Sequence, residues 1–235
     1  MEKIRLQKYL SQSWICSRRK WEEYIEKWYV LVNWEIAKIW QSVDPDIDKI
    51  TFKDRLIEDR QNYVYYKMNK PRWIVTTCAQ WKEKNIIDII DIKERVFPIW
   101  RLDKDTTWLI LLTNDWRLAN FLMHPKYEHE KEYVVKVYWP ITDTQLDKMR
   151  KWIFILWSYT KKCRIDRISA WSFKIYLKEW KNRQIRRMVE NVWAEVKWLK
   201  RVRICNIECW WLLEWEYKHL SQKEITNLKA TLWID

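Results

Sequence analysis

Apolar positions change their period several times along the chain. Ile4, Leu6, Tyr9 and Leu10 recur at helical spacing, and the charged stretch Ser17 to Lys27 follows as a second helix. Tyr29-Val30-Leu31-Val32 reads as a strand, Asn33-Trp34 as its turn and Glu35 to Ile39 as the return. Lys49 to Phe52 gives a last strand of this unit, residues 1–53, and a polar linker is predicted over 54–62. The second unit, 63–235, starts with the strand Tyr63 to Met68. Helices are predicted over 86–90, 118–124, 143–151 and 184–191, and strands over 109–112, 133–137, 173–177 and 196–204. The order predicts an α+β fold whose second unit holds a mixed, mostly antiparallel sheet.

Charge adds a partner class. The 235 residues hold 45 Lys and Arg against 32 Asp and Glu, a formal net charge of +13. An excess of this size points to a polyanion, above all nucleic acid. Hydrophobic content of 48% with 33% charged residues excludes a disordered chain. No apolar run is long enough to span a bilayer, so no membrane partner is expected. Met1 to Arg5 shows no apolar signal segment, and five scattered cysteines fit a reducing compartment, so a cytoplasmic protein is expected. Cys205-x-x-x-Cys209 with His219 fits no common structural zinc spacing, so no metal is predicted.

One count is abnormal: 21 tryptophans and no glycine. Ordinary usage would supply glycine at about 7% of positions. The tryptophans sit where turns need glycine, as in Asn33-Trp34, Asp115-Trp116 and Tyr138-Trp139-Pro140. Asn-Gly and Asp-Gly are strong turn pairs, whereas Asn-Trp and Asp-Trp are not. The pattern predicts that most of these tryptophans stand for glycine, as they would if UGA codons meaning glycine were translated as Trp. Trp21, Trp171 and Trp198 lie outside such sites and could be genuine.

The segment Ser13-Trp14-Ile15-Cys16-Ser17-Arg18-Arg19-Lys20, with Ile25-Glu26-Lys27-Trp28-Tyr29-Val30-Leu31-Val32-Asn33-Trp34 behind it, resembles the S4 RNA-binding domain, closely so with glycine at 14, 28 and 34. In that family a helical face and the following hairpin rest on structured RNA. Arg18, Arg19, Lys20 and Lys27 can meet phosphates there, contacts that position the protein without reading sequence. Taken alone, such a run could be a solvated basic helix.

The stretch Phe97-Pro98-Ile99-Trp100-Arg101-Leu102-Asp103-Lys104-Asp105-Thr106-Thr107-Trp108-Leu109 resembles the signature of the RsuA/RluB/RluF group of pseudouridine synthases. His129-Glu130-Lys131-Glu132-Tyr133 is similar to its Lys-x-Tyr segment, and Glu179-Trp180-Lys181-Asn182-Arg183-Gln184-Ile185-Arg186-Arg187-Met188 to its Glu-Gly-Arg-Asn-Arg-Gln-Ile-Arg-Arg-Met motif. Finer features at 95–99, 140–143 and 160–163 resemble the RluF type. That type modifies a uridine of 23S ribosomal RNA near the peptidyl-transferase centre and, in some bacteria, a tRNA anticodon-loop uridine.

The resemblance implies isomerisation of uridine to pseudouridine. The N1–C1′ bond breaks, the uracil turns and C5 joins C1′. Asp103 matches the catalytic Asp, a carboxylate beside the sugar. Arg186 matches the Arg that pairs with it, and Tyr133 the tyrosine that stacks on the target base and takes part in proton removal at C5. Arg101, Lys181, Arg183, Arg187, Lys200, Arg201 and Arg203 would hold phosphates and offset the cost of flipping the base out. A lone Asp is usually a turn or ion-pair residue, and a strand Tyr usually core; the surrounding motifs move both to the site. Asp105 reads as structural. No metal, nucleotide or redox cofactor is implied, and a monomer is expected. Two rivals remain: a synthase acting on tRNA or 16S RNA, and a non-catalytic RNA-binding or assembly protein that kept the fold.

Overall fold

The computed structural model describes residues 3–11, 16, 18–44, 47–57, 63–78 and 83–232, with the Arg18 side chain left out. Most of the segment from Ser13 to Ser17, the end of the predicted linker, and Trp14, Trp81 and Trp233 lie outside the described residues. The chain divides into two compact units, Met1–Tyr63 and Val64–Asp235.

The first unit holds β1 (Ile4–Arg5), α1 (Leu6–Leu10), α2 (Arg18–Glu26), β2 (Val30–Val32), β3 (Glu35–Ile36), β4 (Ser42–Val43), β5 (Ile50–Phe52) and β6 (Arg55–Leu56). The sheet order is β3-β2-β5-β6, antiparallel throughout, and β1 pairs with β4. Trp21 and Ile25, one turn apart on α2, are buried with Leu6 and Leu10 of α1 against Val30, Val32 and Ile50. Part of the predicted linker is strand: β6 pairs Leu56 with Thr51. Lys53 and Asp54 both take positive φ, which makes the two-residue hairpin turn that brings β6 back.

The second unit contains β7 (Tyr65–Lys70), β8 (Phe97–Ile99), β9 (Thr107–Thr113), α3 (Trp116–Met123), β10 (Lys131–Val137), α4 (Asp143–Arg150), β11 (Phe154–Ile155), β12 (Ser158–Tyr159), β13 (Arg164–Ser169), β14 (Ser172–Leu177), α5 (Gln184–Asn191), β15 (Val196–Ile204), β16 (Ile207–Glu208), β17 (Tyr217–His219) and α6 (Gln222–Leu232). Its main sheet runs β13-β14-β10-β15-β9-β7-β17, with β8 on β9 and β16 on β15. Every pairing is antiparallel except β15 with β9. The sheet is therefore mixed and mostly antiparallel, as the sequence predicts. The predicted helix over 86–90 is a single 3-10 turn, Ile87–Ile89. Five residues, four of them Ile, give too short a run for a helix, and the Asn85 side chain accepts from Ile87 N at 2.8 Å to start the turn.

The main core lies where alternate residues of β10 (Tyr133, Val135, Val137) and β14 (Phe173, Ile175) meet Leu146 and Met149 of α4 and Met188 and Val189 of α5. Their two-residue and three- or four-residue spacings are those of a strand face and a helix face. Glu132 sits between Arg203 Nε at 3.0 Å and Lys174 Nζ at 2.9 Å, pairing across neighbouring strands. No helix among the described residues is long and apolar enough to cross a membrane.

Candidate active site

The loop between β8 and β9 carries Asp103, and its backbone is gripped along its length. Arg201 donates through Nη2 to Trp100 O (2.8 Å) and through Nε to Leu109 O (2.9 Å). Thr76 Oγ1 donates to Leu102 O and accepts from Leu102 N. Trp73 N donates to Lys104 O at 2.7 Å, and Lys70 Nζ to Thr106 O at 3.0 Å. Thr106 N closes a turn on Asp103 O at 3.0 Å. Buried carbonyls need such partners, and together they fix the loop before any substrate arrives.

Asp103, Tyr133 and Arg183 line one cavity. Its free volume is about 40 Å³, and a groove of about 450 Å³ lies beside it, sharing Arg101, Glu179 and Trp180. Arg183 Nη1 stands 3.9 Å from Asp103 Oδ2 and 3.3 Å from Asp105 Oδ1. Arg183 caps α5 with φ +50°, a left-handed start that offers no side-chain cap to the helix. Arg186, one turn into α5, lies with Nη2 2.9 Å from Asp105 Oδ2 and 3.3 Å from Asp105 O. The arginine expected beside Asp103 thus closes on Asp105. The reason is geometric: Arg186 is on the buried face of α5, and Asp105 is the carboxylate turned towards it, whereas the Asp103 side chain is one-third exposed and faces the cavity. Burial lowers the Arg186 pKa, opposed by the charges of Asp105 and Asp103.

Tyr133 is placed by strand register. It lies opposite Arg201 on β15, which in turn lies opposite Trp108 on β9. Arg201, at 1% exposure, is below the surface, facing the Tyr133 side chain, so the expected phosphate contact is replaced by a structural one. Burial lowers its pKa, opposed first by Tyr133. Arg203 is also drawn inward, holding Glu132 at 3.0 Å and Glu130 at 2.6 Å. Arg201 is drawn in by the carbonyls of Trp100 and Leu109, and Arg203 by the carboxylates of Glu130 and Glu132.

Among the other basic residues singled out, Arg19, Lys27 and Arg101 are exposed. Lys20 pairs with Glu23. Lys181 Nζ donates to Ser158 and Tyr159, and Arg187 Nε to Asn182 O. Lys200 Nζ lies 4.5 Å over the Trp108 ring.

Two buried lysines lie beneath the site, Lys70, which was not predicted, and Lys131, which the sequence places in the Lys-x-Tyr segment without a role. Lys70 is fully buried and its amine is pushed down to about 8, by desolvation first and with Arg201 adding to it, while Asp105 and Asp103 oppose. Lys131, also buried, is pushed down to about 8 by desolvation and Arg201. For Lys70 the signal available was a lysine closing a strand and followed by proline, Lys70-Pro71.

Residues 64–191 match the model of the RNA pseudouridylate synthase family. The chain is 41% identical over 227 residues to the dual-specificity RNA pseudouridine synthase RluF of Escherichia coli O6:H1, covering 96% of this chain and 78% of the relative. It is 33% identical to the ribosomal large subunit pseudouridine synthase B of Bacillus subtilis, covering 96% of each. A crystal structure of a pseudouridylate synthase superposes with a TM-score of 0.71 and 26% identity, over 96% of this chain and 99% of that one. With the signature loop, the tyrosine strand and Arg183 at the start of α5 gathered at one cavity, these likenesses make the chain a member of the RNA pseudouridine synthase family.

Proposed function

We propose that this enzyme isomerises a uridine of ribosomal RNA, with 23S RNA the expected molecule, and that Asp103 is its catalytic carboxylate. The observation that carries the reading is the shared cavity of Asp103 and Tyr133, with Arg183 3.9 Å from the carboxylate. The guanidinium sets a positive charge beside the Asp103 carboxylate, next to the place the sugar takes. The carboxylate meets C1′ as the N1–C1′ bond breaks. The freed uracil turns on the Tyr133 ring, C5 bonds to C1′, and the C5 proton leaves with help from the Tyr133 hydroxyl while N1 takes one up. Arg186 acts as a positioning residue that holds Asp105, and through it the loop.

Flipping a uridine costs a few kcal/mol, least in an RNA loop. Contacts from Arg101, Lys181, Arg183 and Arg187, and from Arg18, Arg19, Lys20 and Lys27 of the S4-like unit, offset that cost through phosphates. The B. subtilis relative, named for the large ribosomal subunit, supports 23S RNA, and the dual-specificity name of the E. coli relative keeps a tRNA target as the second reading. The enzyme acts in the cytoplasm as a monomer.

Tritium release from 5-tritiated uridine in a 23S fragment tests the proposal. Release that Asp103→Asn abolishes, with RNA affinity kept, is the expected result. Release from a tRNA stem-loop alone would move the substrate. Full release by Asp103→Asn would remove the carboxylate from the mechanism.

A further inference from the structure

Tryptophan is under a tenth of the chain, yet it supplies nine of the sixteen residues with positive φ among the described residues: Trp28, Trp34, Trp40, Trp73, Trp100, Trp108, Trp157, Trp193 and Trp215. In this region Cβ crowds the backbone carbonyl, and a bulky side chain there is an outlier. Glycine takes it freely.

The local geometry is of two glycine-demanding kinds. Trp28 ends α2: its N–H donates to Ile25 O, and Tyr29 N donates to Tyr24 O. Trp193 ends α5 in the same way, through Glu190 O, with Ala194 N on Val189 O. This is the paired bond pattern whose left-handed position glycine usually fills. Asn33-Trp34 joins β2 to β3 and Leu156-Trp157 joins β11 to β12, both with two successive positive φ angles. Such turns favour Asn-Gly.

The side chains at these four sites are not held by packing. Trp28 and Trp34 are 71% and 70% exposed, and Trp157 and Trp193 are each 92% exposed. Trp21 makes the contrast: it lies within a helix, fully buried, with its ring 4.8 Å from that of Phe52. At the active site Trp100, φ +51°, lays its ring against His129 and the buried Lys131 amine, three residues before Asp103.

We infer that these nine positions are glycine in the protein as its own ribosomes make it, through UGA codons read as glycine. The backbone asks for glycine at each, and the chain otherwise has none. With glycine at 100, His129 and Lys131 lose their indole cover and face the groove beside Asp103.

Peptide mass mapping of the protein isolated from its own cells tests the inference without reference to catalysis. Peptides spanning positions 28, 34, 157 and 193 should carry glycine masses; tryptophan masses there overturn it. A second arm compares two chains made in a standard-code host, one as written and one with all nine changed, W28G to W215G. The nine-glycine chain should melt more than about 15 °C higher, or be the only one of the two that folds. Equal or lower melting of the nine-glycine chain overturns the backbone argument. If neither chain folds, the peptide masses decide.

Discussion

Arg186 closes on Asp105: Nη2 lies 2.9 Å from Oδ2 and also reaches the Asp105 carbonyl. Asp103, two residues earlier, is left to face the cavity with Arg183 as its nearer cation. The two carboxylates of the loop thus differ in surroundings, one held against Arg186 and one facing the cavity. Asp105→Asn leaves a mostly buried guanidinium without its counter-charge. Because the Asp105 side chain keeps 21% exposure, the cost is about 2 kcal/mol, below that of a fully buried pair. The expected result is a melting point lower by about 5 °C and kcat/KM reduced about tenfold by loop disorder. Asp103→Asn should instead lose all measurable turnover while melting as the parent does. Thermal unfolding and tritium release on the same two variants check both halves, and a variant Asp105→Asn as inactive as Asp103→Asn would put Asp105 in the chemistry.

Arg201 ties the two ends of the same loop, so its removal should read as a loop defect. Arg201→Met strips Trp100 O and Leu109 O of their donor. A phosphate contact would show in the salt dependence of RNA binding, where each one changes the log–log slope by about 0.9. Here that slope should stay at the parent value while kcat falls at least about tenfold. For Arg101→Met, at the exposed mouth of the cavity, the reverse is expected: a shallower slope and a smaller loss of kcat. Titrating RNA affinity against salt for both variants separates them.

Lys70 makes stability depend on pH in an unusual direction. Its pKa is about 8 in the fold against 10.5 as the ordinary value. Below pH 8 the amine is charged in both states, and the full burial penalty stands. Between pH 8 and 10.5 the unfolded chain binds more protons than the folded one, so this residue makes stability rise with pH. The gain is about 3 kcal/mol at most. Lys70→Met should lack that rise, so the difference in melting temperature between parent and variant should shift in the parent's favour from pH 7.5 to pH 10. A difference that stays flat over the same range would mean that Lys70 titrates near its ordinary value.

Much of this was legible in the chain because periodicity reports packing. Helix α5 occupies the predicted residues 184–191, and β15 the predicted 196–204, since each buries a regular face or runs between two neighbours. The RNA pseudouridine synthase family followed from short motifs with fixed spacing. The Arg186 partner did not, because spacing places a residue on a helix and leaves open which of two carboxylates, 103 or 105, turns towards it. Arg201 and Arg203 escaped for a related reason: a basic residue on a strand looks like a surface charge until the fold shows what faces it, loop carbonyls for Arg201 and two glutamates for Arg203. Strand β6 was missed because a two-residue strand after a polar turn carries no period.

Trp180 lines both the small cavity of Asp103 and the larger groove beside it, with Arg101 and Glu179. The cavity, at about 40 Å³, is far below the roughly 300–1,000 Å³ of ordinary ligand sites, while the groove, at about 450 Å³, lies within that range. A nucleotide reaching Asp103 needs more room than the cavity holds, and the Trp180 indole is the bulkiest of the three side chains shared with the groove. Trp180→Gly joins the two spaces at little cost to the fold, because the side chain is 63% exposed. The expected outcome is kcat/KM raised about tenfold or more, mostly through a lower KM, with the melting point within about 2 °C of the parent. Trp180→Phe, which keeps a ring in place, should gain far less. Steady-state tritium release with a short RNA stem-loop measures all three chains, and equal kcat/KM for the parent and Trp180→Gly would mean that the indole already stands aside when RNA binds.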